Sequence, residues 1–241
     1  MIVKRKILAI AALAGCLLTP SLRANPAVVI DVGTAGTGYG IWQTGSGGEF
    51  TFTVVSGSGI NLAGYVAGES SIPSGISGLG TFETFCVEDN VYIYPSTQIT
   101  GVLSSQNSEG QVLTEGTAWL YSQFAHGTLA GYDYNNDSGH NTSAGNLQNA
   151  IWYFMHQDED INLSSIDSNP YVELAKTEFS NPFDAAGGNN FDVGVLQLSN
   201  SSGGGVQNQL ALESVPDGGA TFGLLALSIT GMGLAARCLR S

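Results

Sequence analysis

One cysteine, Cys86, stands in the central part of this 241-residue chain, within the segment TFCVED at residues 84–89. The other two cysteines, Cys16 and Cys238, lie close to the ends of the chain. A lone central thiol cannot build a disulfide framework. It can act as a nucleophile when it is ionised or held against an electrophile, or it can simply fill space in a core. Cys86 is therefore the first candidate for chemistry, with ordinary packing as the alternative.

Three further side chains have types that could assist a reaction. His126, in the segment FAHGT, could act as a general base for an incoming nucleophile, although a histidine after a helix more often caps it. Glu88 and Asp89 directly follow the cysteine segment and could orient amines. Solvated charges at the end of a strand are the expectation for these two acids.

The elements around Cys86 are predicted to be mainly strands in the first part of the chain. Residues 27–66 read as short strands broken by glycine, and Phe50, Phe52 and Val54 alternate with threonines in GEFTFTVVS. The segment GTFETFCVEDNVYIY is rich in β-branched and aromatic residues, which places Cys86 on a strand or at its end. Two other predicted strands in this region are AVVIDV and YGIWQT.

Helices are predicted to interrupt the strands. The segment LTEGTAWLYSQFAHG has helical spacing and ends near Gly127, and AGNLQNAIWYFMHQD follows a polar loop, YDYNNDSGHNTS. A third helix begins with Asn169 as its N-cap and Pro170 in its first position. The late segments FDVGVLQLS and VQNQLALES predict two strands joined by a turn. The expected fold is α+β and mainly β, a β-sandwich or barrel with a helical insert.

Two of these segments together resemble the thioester domains of bacterial surface adhesins. FCV at residues 85–87 is similar to the cysteine motif of that family, and LQNAIW at residues 147–152 is similar to its glutamine motif. GTAWLYSQF resembles the helix between the motifs, and the resemblance covers roughly residues 80–213. It implies that the Cys86 thiol condenses with the Gln148 side chain, 62 positions later, to give an internal thioester and ammonia.

The chemistry of such a bond sets a requirement on the fold. A primary amide is a poor electrophile and a free thiol is mostly protonated at neutral pH. They react only where the fold holds sulfur against the carbonyl carbon, and such positioning supplies roughly 7–11 kcal/mol in the best intramolecular cases. The thioester would then accept an amine at the former Gln148 carbonyl. The protein would react once and stay attached, so we expect a single-turnover covalent binder and not an enzyme, with no cofactor and no metal.

The N-terminal segment, residues 1–24, is predicted to be a secretory signal. Basic residues 4–6 precede a short apolar run, residues 7–18, as in signal peptides. Cleavage after Ala24 is favoured, because apolar residues continue past Cys16. LAGC at residues 13–16 leaves lipidation of Cys16 as the alternative.

The C-terminal segment, residues 215–241, resembles the PEP-CTERM class of bacterial sorting tails, nearest to its variant beginning Val-Pro-Asp-Ser-Gly. A short motif precedes an uncharged stretch, residues 220–236, which is at the lower limit for a transmembrane helix, and a basic tail, residues 237–241, follows with Arg237 and Arg240. The resemblance implies processing by an exosortase-type enzyme, and a glycine in place of the variant's serine leaves the cognate enzyme open. The motif residues are Val215, Pro216, Asp217, Gly218 and Gly219.

Between the two end segments the chain is strongly acidic. Residues 25–236 contain one basic residue, Lys176, against all twenty acidic residues, a net charge near −19. Such a surface repels phosphate backbones, which excludes nucleic acid as an expected partner. The mature domain, residues 25–214, is long enough to bury one core.

The sequence therefore predicts a protein exported to the envelope, outer surface or extracellular matrix of a bacterium with two membranes. It would be sorted through its C-terminal tail, with a membrane contact through the C-terminal helix before processing. Its predicted partners are the sorting enzyme and an amine-bearing surface or matrix molecule. The alternatives are a non-covalent structural or adhesive matrix domain with a free Cys86, and a carbohydrate-binding β-domain or hydrolase. Trp42 would be one candidate contact for a glycan.

Overall fold

The computed structural model of the chain describes its central part. The described residues are 27–32 (as backbone), 47–57, 59–60, 80–93, 98–135, 138–157, 161, 163–188 and 190–213. Within them lie six strands: β1 Ala27–Val32, β2 Glu49–Gly57, β3 Gly80–Phe85, β4 Gln98–Ser104, β5 Val193–Ser199 and β6 Gly205–Leu212. Three α-helices lie between β4 and β5: α1 Glu115–Ala125, α2 Ser138–Phe154 and α3 Pro170–Glu178. The fold is therefore α+β with a helical insert, as the sequence predicts.

All six described strands belong to one antiparallel sheet, in the order β3-β2-β1-β4-β5-β6. The sheet curls until its two edge strands touch, because Cys86, just after β3, pairs with Gln209 of β6. This contact is an isolated bridge and not a ladder, since the β3 strand ends at Phe85. The expected sandwich or barrel is corrected accordingly: among the described strands the sheet is not closed into a barrel.

Side chains hold the two edges together beside this bridge. The Thr84 hydroxyl donates to the Leu210 carbonyl at 2.6 Å. The Tyr121 hydroxyl of α1 lies 3.0 Å from the Glu83 carbonyl and 3.0 Å from the Leu210 carbonyl. Helix α1 therefore contributes to fixing the edge at which Cys86 lies.

The helices begin where local sequence can satisfy their first N–H groups. Thr114 caps α1 by accepting from the Thr117 N–H. Asn169 caps α3 by accepting from the N–H groups of Tyr171 and Val172, with Pro170 at the first helical position, as predicted. Helix α2 begins at Ser138, inside the segment that the sequence predicts to be a polar loop.

The core consists of two clusters. The larger one lies between the helices and the sheet, and the smaller one contains Phe52, Phe82, Ile99 and Cys86. Trp152 of α2 belongs to the smaller cluster. Helix α2 therefore packs against both clusters, and it brings its central residues to the region of Cys86.

Candidate functional site

Cys86 lies where the two edge strands meet. It directly follows β3 and is bridged to Gln209 of β6. The Val87 N–H extends the contact by donating to the Asn208 carbonyl at 3.0 Å. The side chain of Cys86 is fully buried. The prediction that this cysteine lies on a strand or at its end is thus confirmed, and its backbone is held by both edges.

Gln148 lies in the second half of α2, on a buried face of the helix. Its neighbours Leu147, Ala150 and Ile151 are all 0 % exposed, and so is Gln148 itself. An amide buried in this way needs hydrogen-bond partners, because an unsatisfied group costs about 1–3 kcal/mol.

The carboxamide of Gln148 finds those partners at Cys86 and Gly48. Its Oε1 accepts from the Cys86 N–H at 3.2 Å, from the Gly48 N–H at 3.1 Å and from the Cys86 thiol at 3.0 Å. Its Nε2 donates to the Cys86 carbonyl at 2.7 Å. The fold therefore brings the predicted cysteine and glutamine into direct contact, although 62 positions separate them.

This arrangement could stabilise negative charge on the amide oxygen. Attack of Sγ on the Gln148 carbonyl carbon, one covalent bond from Oε1, would place that charge on Oε1. The N–H groups of Cys86 and Gly48 already point at this atom. Two fixed N–H donors directed at a developing oxyanion form an oxyanion hole, and removing one such donor typically costs about 100–1,000-fold in rate.

Two glycines let the backbone approach α2 closely. Gly47 has φ 73° and Gly48 has φ 133°, values that other residues rarely adopt. A Cβ on Gly47 would lie 2.6 Å from Cη2 of Trp152 and 2.9 Å from Cγ of Gln148. A side chain at position 47 would therefore push the glycine segment away from the Gln148 carboxamide.

Electrostatics keep the thiol protonated. Burial raises the pKa of the Cys86 thiol, and the charges of Glu88 and Asp89 raise it further, whereas the N–H groups of Cys86 and Gly48 act in the opposite direction. The burial effect is the largest, so the thiol is neutral at ordinary pH. Any attack by Sγ must therefore transfer the thiol proton as part of the reaction.

Glu88 and Asp89 are buried and not solvated, contrary to the expectation for them. Glu88 accepts from the Asn208 N–H at 2.9 Å, the Asn208 Nδ2 at 2.7 Å and the Ser108 hydroxyl at 2.8 Å. The Asp89 N–H donates to Oε1 of Gln157 at 3.1 Å. The contacts of Glu88 attach the segment after Cys86 to β6, which explains its burial.

His126 is exposed and forms the C-cap of α1. Its Nδ1 lies 2.7 Å from the Ser122 carbonyl of the same helix. The structure places this histidine at a helix end, in the capping position that was the alternative interpretation, whereas Cys86 and Gln148 are fully buried.

A second buried cluster adjoins the glycine segment, and sequence reasoning missed it. The Glu49 carboxylate lies 2.6 Å from Nε2 of His140, in the first turn of α2, and also accepts from the Tyr132 hydroxyl. The three side chains are 3–7 % exposed. His140 and Gln148 lie eight positions apart on one helix, a spacing that would have been a signal only if α2 had been predicted to begin at Ser138.

Two other polar side chains near Cys86 and Gln148 are buried and have no hydrogen-bond partner among the described residues. They are Trp152, through Nε1, and Gln209, through both atoms of its amide. Gln209 is the residue bridged to Cys86, and Trp152 lies one helical turn after Gln148. Buried polar groups therefore lie close to the candidate site, one of them, Trp152, in the smaller cluster.

The predicted end segments fall outside the described residues. This holds for the signal at residues 1–24, for Trp42 and for the sorting tail at residues 215–241, including Arg237 and Arg240. None of the helices that the structure describes has the length and apolar composition to cross a membrane.

Comparisons of the chain with protein-family models, with curated proteins and with solved structures gave no match.

Proposed function

We propose that this protein is a covalent binder in which Cys86 and Gln148 form an internal thioester. The observation that carries the proposal is the contact of Sγ with the Gln148 carboxamide, 3.0 Å from Oε1, between two fully buried side chains. The resemblance of residues 85–87 and 147–152 to the thioester motifs supports the same pair.

Thioester formation needs only the atoms of Cys86 and Gln148. Sγ attacks the Gln148 carbonyl carbon, and the charge that develops on Oε1 is stabilised by the N–H groups of Cys86 and Gly48. The carbon–nitrogen bond then breaks. The thiol proton moves to the departing NH₂ group, which leaves as ammonia. No oxidant, reductant or cofactor takes part.

Capture of a target forms a carbon–nitrogen bond and breaks the carbon–sulfur bond. A primary amine attacks the thioester carbonyl, the carbon–sulfur bond breaks, and a proton passes from the amine nitrogen to the sulfur. The product is an amide between the target and residue 148, with a free Cys86 thiol. Burial of the pair excludes water and so protects the thioester from hydrolysis, and capture requires local opening around the site.

The end segments support an exported location for this chemistry. The predicted signal at residues 1–24 and the tail at residues 215–241 fit a protein that is sorted to the bacterial surface or matrix by an exosortase-type enzyme. An amine-bearing surface or matrix molecule is then the target class. The strongly acidic domain, with net charge near −19 over residues 25–236, favours cationic targets such as lysine-rich proteins or polyamines.

A structural domain with an unreacted pair is the second candidate. The Gln148 carboxamide makes four hydrogen bonds, three at Oε1 and one from Nε2. They would equally attach α2 to the sheet edge without any reaction. A free Cys86 and an intact Gln148 are what this candidate requires.

Labelling with methylamine tests the proposal. The purified full-length protein should incorporate one methylamine per chain, at residue 148, and release one titratable thiol. The variants Cys86→Ala and Gln148→Ala should incorporate none while keeping their fold, as judged by circular dichroism. Absence of label on the unaltered protein, together with one more titratable thiol in the denatured chain than in denatured Cys86→Ala, would contradict the thioester.

A further inference from the structure

The ion pair of Glu49 and His140 is placed so that it can act on the candidate site. Nδ1 of His140 lies 3.0 Å from the Asn135 carbonyl, which can only accept, and Nε2 lies 2.6 Å from the Glu49 carboxylate. Both ring nitrogens therefore face acceptors, an arrangement that suits an imidazolium, which donates from both nitrogens. Both side chains of the pair are 4 % exposed.

Such a pair is a poor means of stabilising a fold. The loss of hydration of two buried charges offsets most of their attraction, and apolar replacements are often equally stable. A buried pair is therefore better explained where it fixes a geometry. Here the geometry concerns the start of β2, where Glu49 directly follows Gly48.

The backbone at Gly48 and Glu49 is attached to α2 at two points. The Gly48 N–H donates to Gln148, and the Glu49 carboxylate binds His140. The two helix residues lie eight positions apart, roughly 12 Å along the axis. The hydroxyl of Tyr132, in the loop between α1 and α2, donates to the same carboxylate oxygen. Burial and the charge of Glu49 raise the pKa of Tyr132, so this hydroxyl keeps its proton and remains a donor.

We propose that Glu49 and His140 are positioning residues for thioester formation, which hold the Gly48 N–H on the carbonyl oxygen of Gln148. Tyr132 orients the carboxylate. This inference rests on the proposed function. The glycines at positions 47 and 48 permit the backbone to approach α2 closely, and the ion pair stabilises this position. Without the pair, Glu49 keeps its pairing with Phe85 of β3, but the segment before β2 can shift away from α2, and the oxyanion then loses one of its two donors.

The rate of ammonia loss tests the inference. The full-length chain is made by cell-free synthesis in detergent and sampled at intervals by intact mass, and thermal unfolding confirms that each variant is folded. Glu49→Ala should slow ammonia loss by about 100-fold, the effect of losing one oxyanion donor. Glu49→Gln keeps the length of the side chain and an oxygen that accepts from His140, and it should restore the rate to within about tenfold of the unaltered protein.

Asn107→Ala is the matched control, because Asn107 is also a buried polar side chain, but it accepts from the N–H groups of Glu109 and Gln111 and not from the site. It should lower the melting temperature and leave the rate of the folded protein within about threefold, since neither N–H donor to Oε1 is removed. A folded Glu49→Ala variant with the unaltered rate would overturn the inference, as would a Glu49→Gln variant as slow as Glu49→Ala.

If Glu49→Ala fails to fold, Glu49→Asp tests the positioning role instead. It keeps the charge on a side chain one methylene shorter, so the displaced segment should slow ammonia loss by about tenfold or more. A rate equal to that of the unaltered protein would refute the positioning role. If the unaltered protein itself never loses ammonia, the thioester proposal has failed, which is distinct from failure of this inference.

Discussion

Replacing Gly47 by alanine should destabilise the fold and slow the loss of ammonia. Gly47 has φ 73°, and a Cβ there would lie 2.6 Å from Cη2 of Trp152. An alanine in the left-handed region costs about 1–2 kcal/mol. Overpacking against the buried indole adds about 1–3 kcal/mol. Gly47→Ala should therefore lower the free energy of unfolding by about 2–5 kcal/mol in total.

The effect on chemistry follows from the same contact. Carbon atoms in ordinary contact lie about 3.5–4.0 Å apart, so the segment at Gly47 must shift by roughly 1 Å to accept the new methyl group. Gly48 moves with it, and its N–H leaves the Gln148 oxygen. A misplacement of about 1 Å can cost about 100-fold in rate, so ammonia loss should slow by that factor.

Gly203→Ala is the matched control for this experiment. Gly203 has φ 78° and is exposed in the turn between β5 and β6, with no atom within 4 Å of a Cβ placed there. It should show the backbone cost of about 1–2 kcal/mol alone and the unaltered rate. Urea unfolding and timed intact-mass measurements compare the two variants. Equal stability and equal rates would refute the close approach of Gly47 to α2.

Two further predictions concern the sheet edge and the thiol. Tyr121→Phe removes the buried hydroxyl whose single proton lies between the Glu83 and Leu210 carbonyls, and it should lower the free energy of unfolding by about 1–2 kcal/mol. Tyr134→Phe removes a bond to the Phe124 carbonyl at a half-buried position and should cost less in the same urea titration. In Gln148→Ala the thiol persists, and burial raises its pKa. The raised pKa should leave the free energy of unfolding of this variant unchanged below the ordinary thiol pKa of about 8.5. Above that pH the free energy of unfolding should fall by up to about 1.4 kcal/mol per pH unit, because the unfolded chain releases the thiol proton more readily than the folded one. Cys86→Ala lacks this loss between pH 7.5 and 9.5, and an identical pH dependence of the two variants would contradict the burial of the thiol.

Local patterns in the sequence were sufficient to predict much of the secondary structure. The alternation in GEFTFTVVS predicted β2, and the Asn169 and Pro170 start predicted α3, because each depends on neighbouring residues alone. Strand β4 was not predicted. It contains Gly101, which weakens a strand pattern, and the structure gives the reason for the glycine: a Cβ there would lie 2.6 Å from Cδ1 of Leu196.

Contacts between distant segments explain what the sequence could not predict. The segment at the start of α2 contains serine, glycine, histidine and asparagine, which favour loops. In the structure it is helical, and His140 in its first turn binds Glu49, 91 positions earlier. Such a contact leaves no periodic signal. The cysteine and glutamine of the site could be predicted by resemblance, whereas the Gly48 donor and the ion pair beside it required the fold.

The intact mass of the unaltered protein shows whether Cys86 and Gln148 have reacted. We expect a mass lower by one ammonia than the mass calculated from the sequence, with no thiol that titrates from Cys86. The deficit should be absent in Cys86→Ala and in Gln148→Ala. A full mass, with a Cys86 thiol that reacts when the chain is denatured, would contradict the thioester and leave the contact between Cys86 and Gln148 as a structural one.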